Sequence, residues 1–127
     1  MSNLEGALNR AKSGTGSFVD FAGAWQNELG SIMHLEQTNN ALEGTYTSTV
    51  SSTGGKTSGD LKGFVDGDLV SFVVHWRDFQ AITSWVGQCT PDSSHNSIKA
   101  LWQMTKQVDT GDEWASINAG SDIFTRV

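Results

Sequence analysis

The chain has 127 residues, of which 37% are hydrophobic and 17% are charged, and this composition indicates one globular domain with a single core. Its net charge of −6 argues against nucleic acid and against an anionic membrane surface as partners. A single cysteine, Cys89, excludes an internal disulfide bond and a thiolate metal cluster. No segment approaches the roughly 20 apolar residues of a transmembrane helix, and nothing in the composition implies a cofactor.

The N-terminal part differs in pattern from the rest of the chain. Apolar residues recur at helical spacing between Leu4 and Ala11, and residues 13–17 are typical of a flexible linker. We therefore predict a leader or extension over residues 1–21, flexible or a short helix, and a folded domain over residues 22–127. The leader lacks the apolar segment of a secretory signal peptide, so the compartment of the protein stays open.

From residue 22 onward, short strands alternate with turns. No segment between the strands is long enough for a crossover helix, which argues against a parallel α/β fold. One helical turn is expected within residues 109–116. Short strands at this spacing predict an all-β antiparallel sandwich or barrel. The predicted strands cover residues 22–28, 31–37, 41–50, 58–65, 68–77, 82–90, 97–106 and 120–127.

Alternate residues of these strands combine aromatic side chains with single hydroxyl, amide and carboxylate groups. Since successive side chains of a strand point to opposite faces, each such set shares one face. Pointing inward, the polar groups would line a partly aromatic cavity and find their hydrogen-bond partners in a ligand. Pointing outward, they would be solvated, and the aromatic residues would be ordinary core. The alternation alone favours neither arrangement.

Sequence motifs favour the cavity. Residues 25–31 (Trp-Gln-Asn-Glu-Leu-Gly-Ser) and 42–48 (Leu-Glu-Gly-Thr-Tyr-Thr-Ser) resemble strands of the avidin and streptavidin family. The match continues in family order through Trp76 and the runs 83–89, 99–102 and 122–127. The resemblance covers residues 22–127 and implies an eight-stranded antiparallel up-and-down β-barrel with a ligand site at one end. It also implies a non-catalytic protein that binds biotin with high affinity, in a commonly secreted family associated with vitamin sequestration.

The resemblance also implies how biotin is held. Asn27, Ser31 and Tyr46 match the three donors to the ureido oxygen, a preorganised cluster around partial negative charge. Ser48 and Asp122 match the acceptors for the two ureido N–H groups. A carboxylate on one N–H polarises the urea and strengthens the contacts on its opposite side.

The remaining positions implied by the resemblance are mainly apolar. Thr83 matches a donor to the thioether sulfur, whereas Trp25 matches a position outside the ligand contacts and is expected in the core. Trp114 matches a tryptophan that a neighbouring subunit contributes, which implies a homotetramer. The ring walls and apolar contacts match Leu29, Val50, Phe72, Trp76, Trp85, Trp102 and Met104.

One departure from the family concerns the ligand's valerate tail. Ala81 stands two residues before Thr83, where the family usually has a hydroxyl that contacts the valerate carboxylate. Its loss is expected to weaken that contact by about 1 kcal/mol. The alternative to tight biotin binding is therefore the same barrel with weakened biotin affinity or with a different small ligand.

Two other functional classes have less support. His34, His75 and His95 have no metal-site or catalytic-triad spacing. Asp122 could form an acid–base couple with Glu28 or Asp78, but only the composition suggests this. A barrel that docks other proteins without a small ligand would need a large exposed apolar patch, which a sequence does not display.

Overall fold

The part of the chain that the structure describes forms a short helix, eight strands and one 3₁₀ turn. The computed structural model describes residues 3–12, 14, 17–49, 55–90 and 94–127. Helix α1 covers Leu4–Asn9, and the 3₁₀ turn covers Glu113–Ala115. The strands are β1 Gly23–Asn27, β2 Ile32–Thr38, β3 Ala41–Ser48, β4 Thr57–Asp66, β5 Leu69–Trp76, β6 Ala81–Cys89, β7 Ser97–Lys106 and β8 Ile117–Arg126.

The eight strands close into a barrel. Each strand pairs antiparallel with the next, and β8 returns to pair antiparallel with β1. The pairing of β1 with β8 runs from Trp25 opposite Arg126 to Asn27 opposite Phe124. Closure pairs the edge strands that an open sheet would expose. The predicted all-β, eight-stranded up-and-down barrel is confirmed.

Hydrophobic alternation decides which face of each strand points inward. On β5, Val70, Phe72 and Val74 are buried, whereas Ser71 and Val73 between them are exposed. Burying large apolar side chains contributes roughly 1.5–3 kcal/mol each, so this alternation strongly specifies the register. The mixed aromatic and polar faces point into the barrel, which decides between the two arrangements that alternation left open.

Trp25 belongs to the core, as the sequence indicated. Its indole is fully buried, and Nε1 donates to the carbonyl of Phe21 at 2.9 Å, so its polar atom is satisfied. The guanidinium carbon of Arg126 lies 4.2 Å from the centroid of the Trp25 ring, a cation–π contact. Val19 and Phe21 are also buried, so the core includes residues that precede β1.

The element boundaries differ only slightly from those expected. β8 begins at Ile117, three residues before its predicted start, and the 3₁₀ turn falls within residues 109–116. Helix α1 lies in the predicted extension, and the division between residues 1–21 and 22–127 stays a prediction. In the part of the chain that the structure describes, no helix is long and apolar enough to cross a membrane.

Candidate ligand-binding site

The turn between β1 and β2 orients the side chain of Asn27. Its Oδ1 accepts the backbone N–H groups of Leu29 at 3.0 Å and Ser31 at 2.9 Å, which is typical of asparagine in a turn. Gly30 has a φ of +89°, a left-handed conformation that glycine adopts without steric cost. Because the turn holds the amide oxygen, Nδ2 is directed to Tyr46 and donates to its hydroxyl at 3.2 Å.

Tyr46 and Ser31 place two buried hydroxyl groups beside this amide. Burial raises the pKa of Tyr46 above its ordinary value, and the charge of Asp122 raises it further, so the phenol keeps its proton. The hydroxyl of Ser31 hydrogen-bonds to Tyr46, and its Oγ accepts the backbone N–H of Thr49 at 3.2 Å. The amide and the two hydroxyl groups therefore form one connected cluster of donors.

Asp122 supplies a buried carboxyl group that is hydrogen-bonded to Asn27 of this cluster. Nε1 of Trp85 donates to Asp122 Oδ2 at 2.8 Å. The pKa of Asp122 is raised to about 6, chiefly by burial and further by the hydrogen-bonded carboxyl of Glu28, against the lowering effect of Trp85. Burial raises the pKa of Glu28, but hydrogen bonds from two backbone N–H groups, including that of Ile123 at 3.0 Å, and from Asp122 together lower it below its ordinary value. A proton shared by the two carboxyl groups therefore resides on Asp122.

Aromatic rings form the wall beside these polar groups. Trp85 is stacked between Tyr46, at a centroid distance of 4.8 Å, and Phe72, at 5.1 Å. Trp76 meets Tyr46 edge-on at 5.6 Å, and its Nε1 donates to Oγ1 of Thr83 at 3.0 Å. Since Thr83 accepts this bond, its hydroxyl proton can be donated elsewhere.

The Trp102 indole lies directly over the backbone of β8. Trp102 is paired with Gly120, and a Cβ atom at Gly120 would lie 2.5 Å from Cζ2 of the indole. Only glycine therefore lets the ring approach this closely. Trp102 is partly buried and packs against the core, as Trp76 does.

A cavity of about 610 Å³ opens beside the aromatic wall. A cleft of this size accommodates a small-molecule ligand. Its lining shares Trp76 with the wall and includes two further residues of the predicted set, Ser48 and Met104. The other lining residues are Thr57, Asp78, Phe79, Gln80, Ala81, Lys106 and Gln107.

Few polar side chains are buried, and they concentrate at this site. Among the described residues, the buried polar or charged ones are Ser31, Thr57, Thr83 and Asp122. Within the same residues, every buried side-chain nitrogen or oxygen has a hydrogen-bond partner. The site is therefore an interlinked network of fixed groups rather than a set of loose side chains. The described part of the chain contains no group of three or more His, Cys, Asp or Glu residues that could hold a metal ion.

Comparison with known proteins identifies the family. The Avidin family profile matches residues 15–127. The chain belongs to the avidin family. Avidin of Gallus gallus is 31% identical over 116 residues, which cover 83% of this chain and 76% of that protein. The crystal structure of Xenavidin superposes with a TM-score of 0.73 at 28% identity, covering 87% of this chain and 100% of that one. The X-ray structure of a biotin binding protein from chicken superposes with a TM-score of 0.72 at 28% identity, covering 85% of this chain and 96% of that one.

The structure brings together most of the residues that the avidin-family resemblance singled out. Leu29 and Trp114 are instead largely exposed, with 64% and 84% of their surface accessible. Val50 lies outside the described residues. The ligand roles of all these residues stay predictions. Those gathered on the inner face of the barrel or in its cavity are Asn27, Ser31, Tyr46, Ser48, Phe72, Trp76, Thr83, Trp85, Trp102, Met104 and Asp122.

Several residues at this avidin-family site were given no ligand role by sequence reasoning. Glu28 contacts Asp122, and the two are so distant in sequence that only the closed barrel shows the contact. Thr57 and Lys106 line the cavity. Side chains of β7 point alternately inward and outward, so the residue two positions after the inward-pointing Met104 also points inward. This pattern could have identified Lys106 from the sequence.

Proposed function

We propose that this protein binds biotin, without chemical change, inside one end of its barrel. The observation that carries the proposal is the set of buried polar residues. Of Ser31, Thr57, Thr83 and Asp122, three match biotin contacts of the family and Thr57 lines the adjoining cavity. Burying a polar group costs about 1–3 kcal/mol unless it is well paired, so a purely structural core gains little from this arrangement.

The pattern of donors and acceptors suits a urea. The amide of Asn27 and the hydroxyl groups of Ser31 and Tyr46 form the donor cluster that would surround the ureido oxygen. Asp122, anchored by its bond from Trp85, would accept one ureido N–H, and Ser48 at the cavity wall would accept the other. Since these groups are positioned before the ligand arrives, little ordering opposes binding.

The remaining surface of the site suits the apolar part of biotin. Trp76, Trp85 and Trp102 would enclose the bicyclic ring, and Met104 would contact its aliphatic part. Thr83, which accepts from Trp76, would direct its proton to the thioether sulfur. Each of these residues has a role in holding a ligand, and none needs to transfer a proton or form a covalent bond.

Self-association into a homotetramer is part of the proposal. Val86 and Leu101 pair directly across β6 and β7 on the outer face and are 64% and 68% exposed. Ile123 on β8 and Val73 on β5 extend this apolar face, with 50% and 43% exposed. Such a face is typical of an interface, and the exposed indole of Trp114 would then complete a neighbour's pocket. Light scattering after size exclusion should give the mass of four chains, and a monomer would contradict this part.

Isothermal titration with biotin, followed by thermal melts with and without it, tests the binding proposal. We expect saturation near one biotin per chain. Binding to the folded state alone should stabilise it by about 4.1 kcal/mol when free biotin is 1,000 times its Kd. Ser31→Ala should weaken binding about fivefold through the loss of one hydrogen bond. Ser17→Ala is the matched control, because Ser17 is exposed and belongs to no strand of the barrel. Absence of both heat and stabilisation would refute the proposal.

A barrel with weakened biotin affinity or another small ligand is the second candidate. It is favoured by Ala81, which is buried at the cavity wall and offers no hydroxyl to a ligand tail. Titration with desthiobiotin, biotin and biotinamide separates the two candidates. If Ala81 leaves the tail without any polar contact, replacing the carboxylate by an amide should leave the affinity unchanged.

A further inference from the structure

The cavity contains a cation at the end of β7. Lys106 follows Trp102 and Met104 on the inward alternation of this strand and lines the cavity with Met104 and Trp76. Its backbone N–H donates to the carbonyl of Ser116 at 2.8 Å, which fixes the strand at this point. Lys106 lies two residues, or about 7 Å, further along β7 than Met104, toward the open end of the site.

Lys106 lies opposite the position where the family's hydroxyl is missing. Ala81 and Lys106 are direct partners in the pairing of β6 with β7. Directly opposite residues of an antiparallel pair have Cβ atoms roughly 4.5–5.5 Å apart, so the lysine side chain can occupy the space that a larger residue 81 would fill. The same short stretch of the cavity has thus lost a small polar group and contains a long cationic one.

The charges around Lys106 leave its ammonium group available to a ligand. Among the residues that line the cavity, Asp78 is the one carboxylate and Lys106 the one cation in the described part of the chain. Asp78 Oδ2 accepts the hydroxyl of Thr57 at 3.1 Å. In the same part of the chain, no ion pair or side-chain hydrogen bond involves Lys106. The side chain of Lys106 is partly buried beside apolar walls, where a cation gains most from an anionic partner.

We propose that Lys106 binds the carboxylate at the end of the ligand's aliphatic tail and makes the site selective for the free acid. This inference rests on the proposed function, because the ring must occupy the cluster around Tyr46 and Asp122 for its tail to reach β7. An ammonium is a compact, flexible point charge, so it follows a mobile tail more readily than a fixed hydroxyl does. A neutral amide at the same position makes a weaker contact.

Binding of biotin and of biotinamide to wild type and Lys106→Met, measured by competitive displacement of radiolabelled biotin, tests the proposal. Methionine keeps most of the length and the apolar stem of the side chain and removes its charge. We expect wild type to bind biotin about tenfold more tightly than biotinamide. Lys106→Met should lose this preference through weaker biotin binding, with the affinity for biotinamide unchanged. Raising the salt concentration should reduce the preference of wild type for biotin over biotinamide, because salt screens the contact between the ammonium and the carboxylate near the open end.

A matched control separates this contact from the general charge of the protein. Lys62→Met changes the net charge equally on the outer face of β4, where Lys62 is exposed, and should keep the full preference for biotin. If wild type binds both ligands equally, or if Lys106→Met keeps the preference, Lys106 is not the carboxylate contact although the proposed function stands. If wild type binds neither ligand, the proposed function fails and the role of Lys106 fails with it.

Discussion

Acidification from pH 7 to pH 5 tests the role of Asp122 as the acceptor of a ureido N–H. The pKa of Asp122 is raised to about 6, by burial first and by the neighbouring Glu28 carboxyl second. At that pKa, about nine-tenths of the free protein has the ionised carboxylate at pH 7 and about one-tenth has it at pH 5. The proton must leave before the carboxylate can accept the strong, charge-assisted hydrogen bond.

The expected effect follows from that fraction. If the ligand binds only the ionised form, its association constant falls about tenfold between pH 7 and pH 5, equivalent to roughly 1.4 kcal/mol of binding free energy. Acidification lowers the association constant because the raised pKa of Asp122 leaves the free protein with a proton at pH 5, and this proton is released when the complex forms. At pH 8 and above, the association constant should be independent of pH.

Isothermal titration with biotinamide at several pH values is the suitable assay. Its tail has no carboxyl group, so titration of the ligand does not contribute. Repeating the titration at pH 5 in buffers of different ionisation enthalpy should show release of about one proton per site. Glu28→Gln removes the second cause of the raised Asp122 pKa and leaves burial in place. The fall of the association constant with acidification should therefore shift to lower pH. An association constant that is equal at pH 7 and pH 5 would refute the reasoning.

Four substitutions test other parts of the structure. Asp122→Ala should weaken biotin binding by about 2–3 kcal/mol and Thr83→Ala by about 1 kcal/mol, because hydrogen bonds to charged groups are the stronger kind. Gly120→Ala should displace the Trp102 indole, whose Cζ2 lies 2.5 Å from the added Cβ, and should lower both stability and binding by about 1–3 kcal/mol. Arg126→Ala removes three hydrogen bonds to backbone carbonyls, so the free energy of unfolding should fall by about 2 kcal/mol with one biotin still bound per chain.

Titration calorimetry and denaturant unfolding provide the measurements for these variants. Equal losses from Asp122→Ala and Thr83→Ala would contradict the ranking of the two hydrogen bonds. Wild-type binding by Gly120→Ala would mean that the indole of Trp102 does not contact the ligand. If Arg126→Ala kept its stability but lost biotin, Arg126 would act on the site rather than on the closure of the barrel.

The fold was predictable because its determinants are local. The polar and glycine turns and the period-2 alternation of strands such as β5 can be recognised in a single sequence, and they located all eight strands. The inward direction of the mixed faces could not be derived in this way. Whether Tyr46 and Asp122 point into the barrel depends on which face of the whole sheet closes on itself, and only the family resemblance indicated that.

The site itself was only partly predictable. Asn27 and Ser31 belong to one recognisable turn, and the tryptophans belong to family motifs. The contact between Glu28 and Asp122 depends on the pairing of the first strand with the last, so no local pattern contains it. Lys106 was missed for a different reason, because a lysine that ends a strand usually extends into solvent. Its place in the cavity becomes evident only when the neighbouring wall is in position.

The junction of β1 and β8 has a consequence for the order in which the site can form. Asn27 ends the first strand and Asp122 lies on the eighth. Two of the groups proposed to hold the urea therefore come from the two strands whose pairing closes the barrel. A nascent chain therefore has no complete pocket until β8 has left the ribosome and docked. A bound ligand would in turn link β1 and β8. It would therefore resist the separation of these two strands, which is the step that opens the barrel.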